Sequence, residues 1–337
     1  MGVTVYDIAR AAGVGRSTVC RALTGIGYVS PETRARVLKV AKELKYRPNH
    51  IASSLAGGRS RFVGVVAGPS IGLTFDSTIV PIQASLRDVG YSMLFYASSD
   101  SVDLERGLLD ELMQDRVAGV IAVPSSATAN PRTYQDLVEA DVSLVILNRQ
   151  VEGLSVPQVV CDDYNTARLA AEHLISLGHR DIVCLSVPQQ YRAGRVRVRG
   201  FRDAMDEAGI ALDDTAIVET GFSYKSGAEA MAKVIERKRR PTAVIARHDI
   251  VAMGAIDAIL AAGLSVPDDI SIVGNADIWC GALTRVPLTT INHPLEEMGR
   301  LGVDKLLAML AGESVEPTTV VLPAELVVRS STAARRC

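Results

Sequence analysis

Apolar positions along the first 45 residues recur at helical spacing. Val5, Ile8, Ala9 and Ala12 share one face, with Thr4 placed to cap the helix and Gly13 to end it in a left-handed turn. Val19, Ala22 and Leu23 form a second short face. A third helix follows in "SPETRARVLKVAKELKY", where Ser30 caps, Pro31 takes the first helical position, and Val37, Leu38, Ala41 and Leu44 point inward. From Phe62 the pattern changes to short apolar runs alternating with amphipathic stretches. The strand candidates are "FVGVVAG", "SMLFYA", "VAGVIAVP", "SLVILNR", "PQVVCD", "DIVCLSVP", "TAIVET", "TAVIARHD" and "ISIVGNAD". Segments such as "NTARLAAEHLISLGH" fill the gaps as helices. Strand–helix alternation of this kind predicts parallel sheets covered on both faces, and the run divides near residue 160 into halves of similar size. Two such halves place their strand C-terminal loops around one cleft.

The turn between the first two helices, "AAGVGRST", looks like half a phosphate loop. It fails as one: Arg10 stands at the first glycine position, Arg16 at the lysine position, and a helix rather than a strand precedes it. Two short helices joined by a glycine turn instead form a helix-turn-helix, whose second helix enters the DNA major groove. Charge agrees. Residues 1–60 hold ten Lys and Arg against Asp7, Glu32 and Glu43, a net +7; the whole chain is −2, so the remainder carries −9. A basic head on an acidic body is the arrangement of a nucleic-acid binder with a separate second domain.

Nearly half of the 337 residues are apolar (48%), ample for a large core, yet no apolar run reaches the ~18 residues of a membrane span. The N-terminus lacks a charged-then-apolar leader, and the five cysteines show no metal-type pairing. Both point to a reduced, cytoplasmic protein without metal or cofactor. Cys20, on the second helix, reads as a small buried residue. Pro48 stops the third helix. The following "NHIASSLAGG" is too short to hold as a helix alone, and reads as a linker that orders only on docking.

The stretches "VTVYDIARAAGVGRSTVCRAL" and "VSPETRARVLKVAKELKYRPNHIASSLAGGRS" resemble the headpiece and hinge of the lactose/galactose repressor (LacI/GalR) family. The likeness continues through "ARLAAEHLISLGHRDIVCL", "HDIVAMGAI", "ISIVGNAD" and "PLTTINHPLEEMGRLGVDKLL". The resemblance implies a homodimeric transcriptional regulator, most simply a repressor, with a periplasmic-binding-protein-like core of two doubly wound subdomains and a small-molecule effector in their cleft. It places a helix-turn-helix headpiece at 1–48, a hinge at 49–60 and the core at 61–337. Within the core, about 61–160 and 290–321 form the first half, and about 161–289 and 322–330 the second. It also implies that Arg16, Ser17 and Arg21 meet base edges, that Thr4, Tyr6, Thr18, Asn49 and His50 make phosphate or positional contacts, and that Leu55 wedges into the minor groove of a double-stranded operator. The two arginines suit guanine O6 and N7.

By the same resemblance, Phe75, Asp76, Asn148, Arg149, Arg197, Phe222, His248, Asp249, Ala276 and Asp277 lie on or near effector-contact positions. Two departures from the family pattern bear on the ligand. His248-Asp249 stands where the family reads Asn-Asp, and "GNAD" puts Ala276 at the place of a sugar-binding carboxylate. Losing an acceptor and gaining an imidazole beside arginines makes the cleft more cationic. The expected effector is then an acid: a sugar acid, a phosphorylated sugar or another small carboxylate, ahead of a neutral sugar. A solute-binding protein would lack the headpiece. A nucleotide-dependent enzyme would need a glycine fingerprint that "FVGVVAGPSIG" does not supply. The final "ELVVRSSTAARRC" has no heptad leucines, so a dimer is expected rather than a tetramer.

Overall fold

The computed structural model describes residues 3–24, 27–46, 60–99, 101–125 and 129–335. The chain forms two compact units, Met1–Ser60 and Arg61–Cys337. The hinge expectation, with Asn49, His50 and Leu55, lies outside the described residues.

The first unit holds helices α1 (Val5–Ala12), α2 (Arg16–Thr24) and α3 (Pro31–Glu43). Ile8, Ala12, Val19, Ala22, Val37 and Ala41 make its small core. Gly13 adopts φ 65° and closes α1, and Ser30 accepts the Thr33 amide at the start of α3. At the N-terminus of α1 Thr4 is the cap, as expected, in a reciprocal capping box with Asp7. The Thr4 hydroxyl and amide both donate to the Asp7 carboxylate (2.7 and 2.9 Å), whose negative charge suits the first turn. Leu38, expected inward, is exposed, because the neighbouring Val37 and Ala41 already fill the narrow contact face of α3.

All nine strand candidates form. In the second unit the elements run β1 (Phe62–Ala67), α4 (Phe75–Asp88), β2 (Ser92–Ala97), α5 (Val102–Gln114), β3 (Gly119–Val123), α6 (Pro131–Glu139), β4 (Leu144–Asn148) and β5 (Gln158–Cys161). Next come α7 (Asp163–Ser176), β6 (Ile182–Ser186), α8 (Arg192–Glu207), β7 (Ile217–Glu219), α9 (Tyr224–Ile235), β8 (Ala243–Ala246), α10 (Asp249–Ala261) and β9 (Ser271–Val273). The chain ends with β10 (Thr290–Asn292), α11 (Leu295–Leu310), β11 (Thr319–Leu322) and β12 (Glu325–Val327). One parallel sheet has the order β11-β5-β4-β3-β1-β2, the other β7-β6-β8-β9, and β10 pairs antiparallel with β12.

Each sheet is covered on both faces, so its strands read as continuous apolar runs. Ile79, Ile82 and Leu86 of α4 and Met298, Val303 and Leu306 of α11 pack on one face of the first sheet. Leu109, Leu112, Tyr134 and Leu137 cover the other. On the second sheet α9 and α10 pack on one face, and Ala167, Ala170, Leu174, Phe201 and Met205 of α7 and α8 on the other. The chain passes between the sheets after β5, after β10 and after β11. The strand at 290–292, grouped by the sequence with the first half, sends Ile291 into the core beneath α7 and α8. Its pattern, "LTTIN", has few apolar positions, and its side is set by pairing with the distant β12.

Close helix contact on the second sheet depends on glycine. A Cβ on Gly254 of α10 would run into the Tyr224 carbonyl of α9, and one on Gly227 of α9 into the Val251 carbonyl. In a free helix Gly→Ala gains nearly 1 kcal/mol. Here Gly254→Ala is expected to destabilise the core by about 1–3 kcal/mol, since backbone must move to admit the methyl group. Urea unfolding of the variant measures the sign.

Candidate nucleic-acid interface and ligand cleft

In the headpiece, Arg16, Ser17, Cys20 and Arg21 are exposed along one stripe of α2, while Val19 and Ala22 hold the opposite face in the core. Cys20 is therefore a surface residue of the proposed reading helix, not the buried one expected. Arg16 donates to the Tyr6 hydroxyl at 2.6 Å and lies over the Tyr6 ring, 5.3 Å from its centroid. This pairing fixes a long side chain on the open face and leaves other guanidinium donors to face outward. Thr4 and Tyr6 are exposed at the start of α1 and Thr18 is half-buried on α2.

In the core, a cavity of about 500 Å³, counting its open mouth, lies at the C-terminal ends of the strands. Asn148 ends β4 and Arg149 follows it, Arg247 and His248 follow β8, and Asn275 and Ala276 follow β9; Thr74, Arg197, Phe222, His293 and Leu295 complete the wall. Of the expected ligand residues, Asn148, Arg149, Arg197, Phe222, His248 and Ala276 come together here. Four do not. Phe75 packs edge-on against Phe95 in the first core, 5.4 Å between centroids. Asp76 is exposed in the first turn of α4. Asp249 is fully buried beneath the site. It accepts from Thr290 (2.5 Å) and the Ile278 amide (2.8 Å), and burial pushes its carboxyl up to about 6. Asp277 turns away to pair with Arg329 at 2.6 Å. Asp249 and Asp277 thus brace the loop after β9, where Ala276 holds φ 113°, a conformation alanine rarely adopts.

Three guanidiniums line the cavity, Arg149, Arg197 and Arg247, and no carboxylate does among the described residues. Arg197 reaches Asp163 through Nε and Nη2 (2.8 and 2.7 Å), and through Nη1 the Arg247 carbonyl at 3.1 Å. The Arg247 guanidinium carbon lies over the Phe222 ring, 3.4 Å from its centroid, and the side chain donates to the Gly221 carbonyl at 3.2 Å. Phe222 therefore serves as the platform for a cation.

His248 does not add the charge expected of it, and His293, a second imidazole in the wall, adds none either. Burial, reinforced by Arg247, Arg197 and Arg149, pushes His248 down to about 3. Burial, then Arg197, pushes His293 down to about 4. Both are neutral at pH 7, and the positive field comes from the arginines alone. Arg247, Asn275 and His293 escape a reading of the sequence for separate reasons. Arg247 follows the apolar run "TAVIA", where the next residues His248-Asp249 draw attention. Asn275 lies beside the Ala276 departure, and His293 follows a strand whose partner, β12, is distant in sequence.

No helix of the described residues is long and apolar enough to cross a membrane, and no cluster of described side chains could hold a metal ion. Residues 4–49 match the family described as bacterial regulatory proteins, lacI family, and residues 171–332 match a periplasmic binding protein-like domain. The transcriptional regulator DegA of Bacillus subtilis is 34% identical over 334 residues, covering 98% of each chain. The transcriptional repressor PurR of Proteus mirabilis is 32% identical over 333 residues, 98% of this chain and 97% of the relative. A Lac repressor dimer solved with operator and the anti-inducer ONPF superimposes with a TM-score of 0.88 at 29% identity, over 99% of this chain and 100% of that one. With its exposed basic α2 and its two-sheet core, the chain belongs to the lacI family of bacterial regulatory proteins: it is a DNA-binding transcriptional regulator with an effector-binding core.

Proposed function

We propose that this regulator is a cytoplasmic, non-catalytic repressor that holds a pseudo-palindromic operator as a homodimer and releases it when a small acid enters the cleft. One observation carries the ligand class: three guanidiniums and no carboxylate among the described residues face the cavity. Carboxylate and phosphate oxygens match that donor set better than a neutral sugar does. Ala276 is consistent, since its methyl group cannot grip a pair of hydroxyls. Phe222, committed to Arg247, offers less of its face to a sugar ring. The occupants in view are a sugar acid, a phosphorylated sugar and a related carboxylate.

On the DNA side the reading assigns residues 1–48 to the headpiece and 49–60 to a hinge that orders on DNA as Leu55 enters the minor groove. Val80 and Val89, exposed along and just after α4, suit the contact between copies. Calorimetric titration of the full-length protein with sugar acids, sugar phosphates and neutral sugars, repeated with operator DNA present, tests the proposal. An acid should bind and lower operator affinity. Raised affinity would mark a corepressor, and binding of neutral sugars alone would refute the anionic cleft. Separately, Arg21→Ala is expected to cost about 1–3 kcal/mol of operator binding and to relax preference at one G·C pair, read by selection from a randomised half-site.

A further inference from the structure

The hydrogen-bond pattern behind the arginines restricts the ligand further. Asn275 Nδ2 donates to the Arg247 carbonyl at 3.2 Å, which fixes the amide so that its Oδ1 is an acceptor. That oxygen lies 2.9 Å from His293 Nε2, so Nε2 must carry the proton. His293 Nδ1 is then a bare acceptor. The side chain lines the cavity and is only 7% exposed, and Nδ1 is buried with no hydrogen-bond partner among the described residues. Around it Asn148, His248 and the arginines present donors, and the Thr74 hydroxyl can act either way. Asn148 Oδ1 faces the Cys161 thiol at 3.6 Å, which turns its amide N–H groups the other way. His248 Nδ1 accepts the Ile250 amide at 3.4 Å, leaving Nε2–H as donor. Arg149, Arg197 and Arg247 donate only.

We infer that the effector is a hydroxylated anion: its acidic group meets the arginines, and one of its hydroxyls donates to His293 Nδ1. This rests on the anionic reading of the cleft and narrows it, setting hydroxyl-free carboxylates and simple alkyl phosphates aside. Leaving a buried acceptor unmet penalises a ligand without the hydroxyl, and a site built around a ligand hydroxyl rejects the analogue that lacks it. Sugar acids and sugar phosphates share the required chemistry.

Isothermal titration of the full-length protein separates the cases. The probes are gluconate, galactonate, glucuronate and galacturonate; glucose 6-phosphate and fructose 6-phosphate; the hydroxyl-free hexanoate, adipate and hexyl phosphate; and glucose and galactose. At least one hydroxylated anion should bind, about tenfold or more tighter than its hydroxyl-free counterpart. Whether acid or phosphate wins identifies the source. Equal binding of hydroxyl-free anions overturns the inference and leaves the anionic cleft standing. Binding of neutral sugars alone overturns both, and binding of none of the hydroxylated anions overturns the inference. His293→Gln, which keeps an acceptor, should retain the discrimination, and His293→Leu should erase it. Independently of any ligand, ¹H–¹⁵N correlation spectra of the histidine-labelled protein should show His293 protonated at Nε2 and bare at Nδ1. The opposite tautomer overturns the inference.

Discussion

Arg197→Ala is expected to remove the effector response and to weaken the core as well. Both effects follow from what the guanidinium holds. It neutralises Asp163, whose side chain is 9% exposed, and ties the loop after β8 through the Arg247 carbonyl. Removing one partner of a largely buried pair strands the other charge, at a typical cost of about 3–5 kcal/mol. The cavity also loses a cation, and Asp163, which Arg197 had neutralised, is left as an unbalanced anion nearby, so an acidic ligand is repelled where it was attracted. Affinity should fall by about 100-fold or more, the equivalent of roughly 3 kcal/mol. The pairing Arg197→Ala with Asp163→Ala separates the two effects. The double variant should regain most of the stability in urea unfolding while remaining unresponsive to the effector. Recovery of the response would mean that Arg197 acts only by restraining Asp163. Unchanged stability in the single variant would mean that the ion pair contributes little.

The contrast between Arg197 and Asp249 also shows what could be read from the chain. Apolar periodicity was sufficient for the three helices of the headpiece and for nine strands, including the three-residue Ile217–Glu219 and Ser271–Val273, which sit inside the apolar runs "TAIVET" and "ISIVG". It failed for Thr290–Asn292 and Glu325–Val327, three residues each, and overlooked Thr319–Leu322. These late strands pair with distant partners, and their register comes from tertiary contact rather than local preference. At the site, positions at or just past a strand end were found when the residue faced outward, as with Asn148, Arg149 and His248. Asp249 comes one residue later, and the start of α10 turns it inward. There Thr290 and the Ile278 amide hold it in the core. Asp277 is separated from the cavity by Arg329, a partner 52 residues away. The neutral state of His248 and His293 had no signal in the sequence, because burial and neighbouring charge appear only after folding.

That neutral state has a consequence for stability in mild acid. In the unfolded chain both imidazoles titrate near 6.5; in the fold His293 is pushed down to about 4 and His248 to about 3. As pH falls below 6.5 the unfolded chain takes up protons that the folded one refuses, so stability rises with pH through this window and is lost on acidification. His293 alone accounts for a loss on the order of 3 kcal/mol by pH 4. His173 and His179, also lowered by burial, act in the same direction. Asp249 opposes them. Its carboxyl, raised to about 6 from 3.8, lets the folded state bind a proton first, which adds stability as pH falls across that interval. The several histidines outweigh the single carboxyl. Urea unfolding at pH 8, 7, 6, 5 and 4.5 should therefore give a plateau above 7 and a decline below 6.5. His293→Gln should flatten the decline and Asp249→Asn should steepen it. Stability unchanged between pH 7 and 5 would mean that His293 accepts protons as freely as it does in water. Its Nδ1 would then be hydrated, and the cavity would no longer demand a ligand hydroxyl at that position.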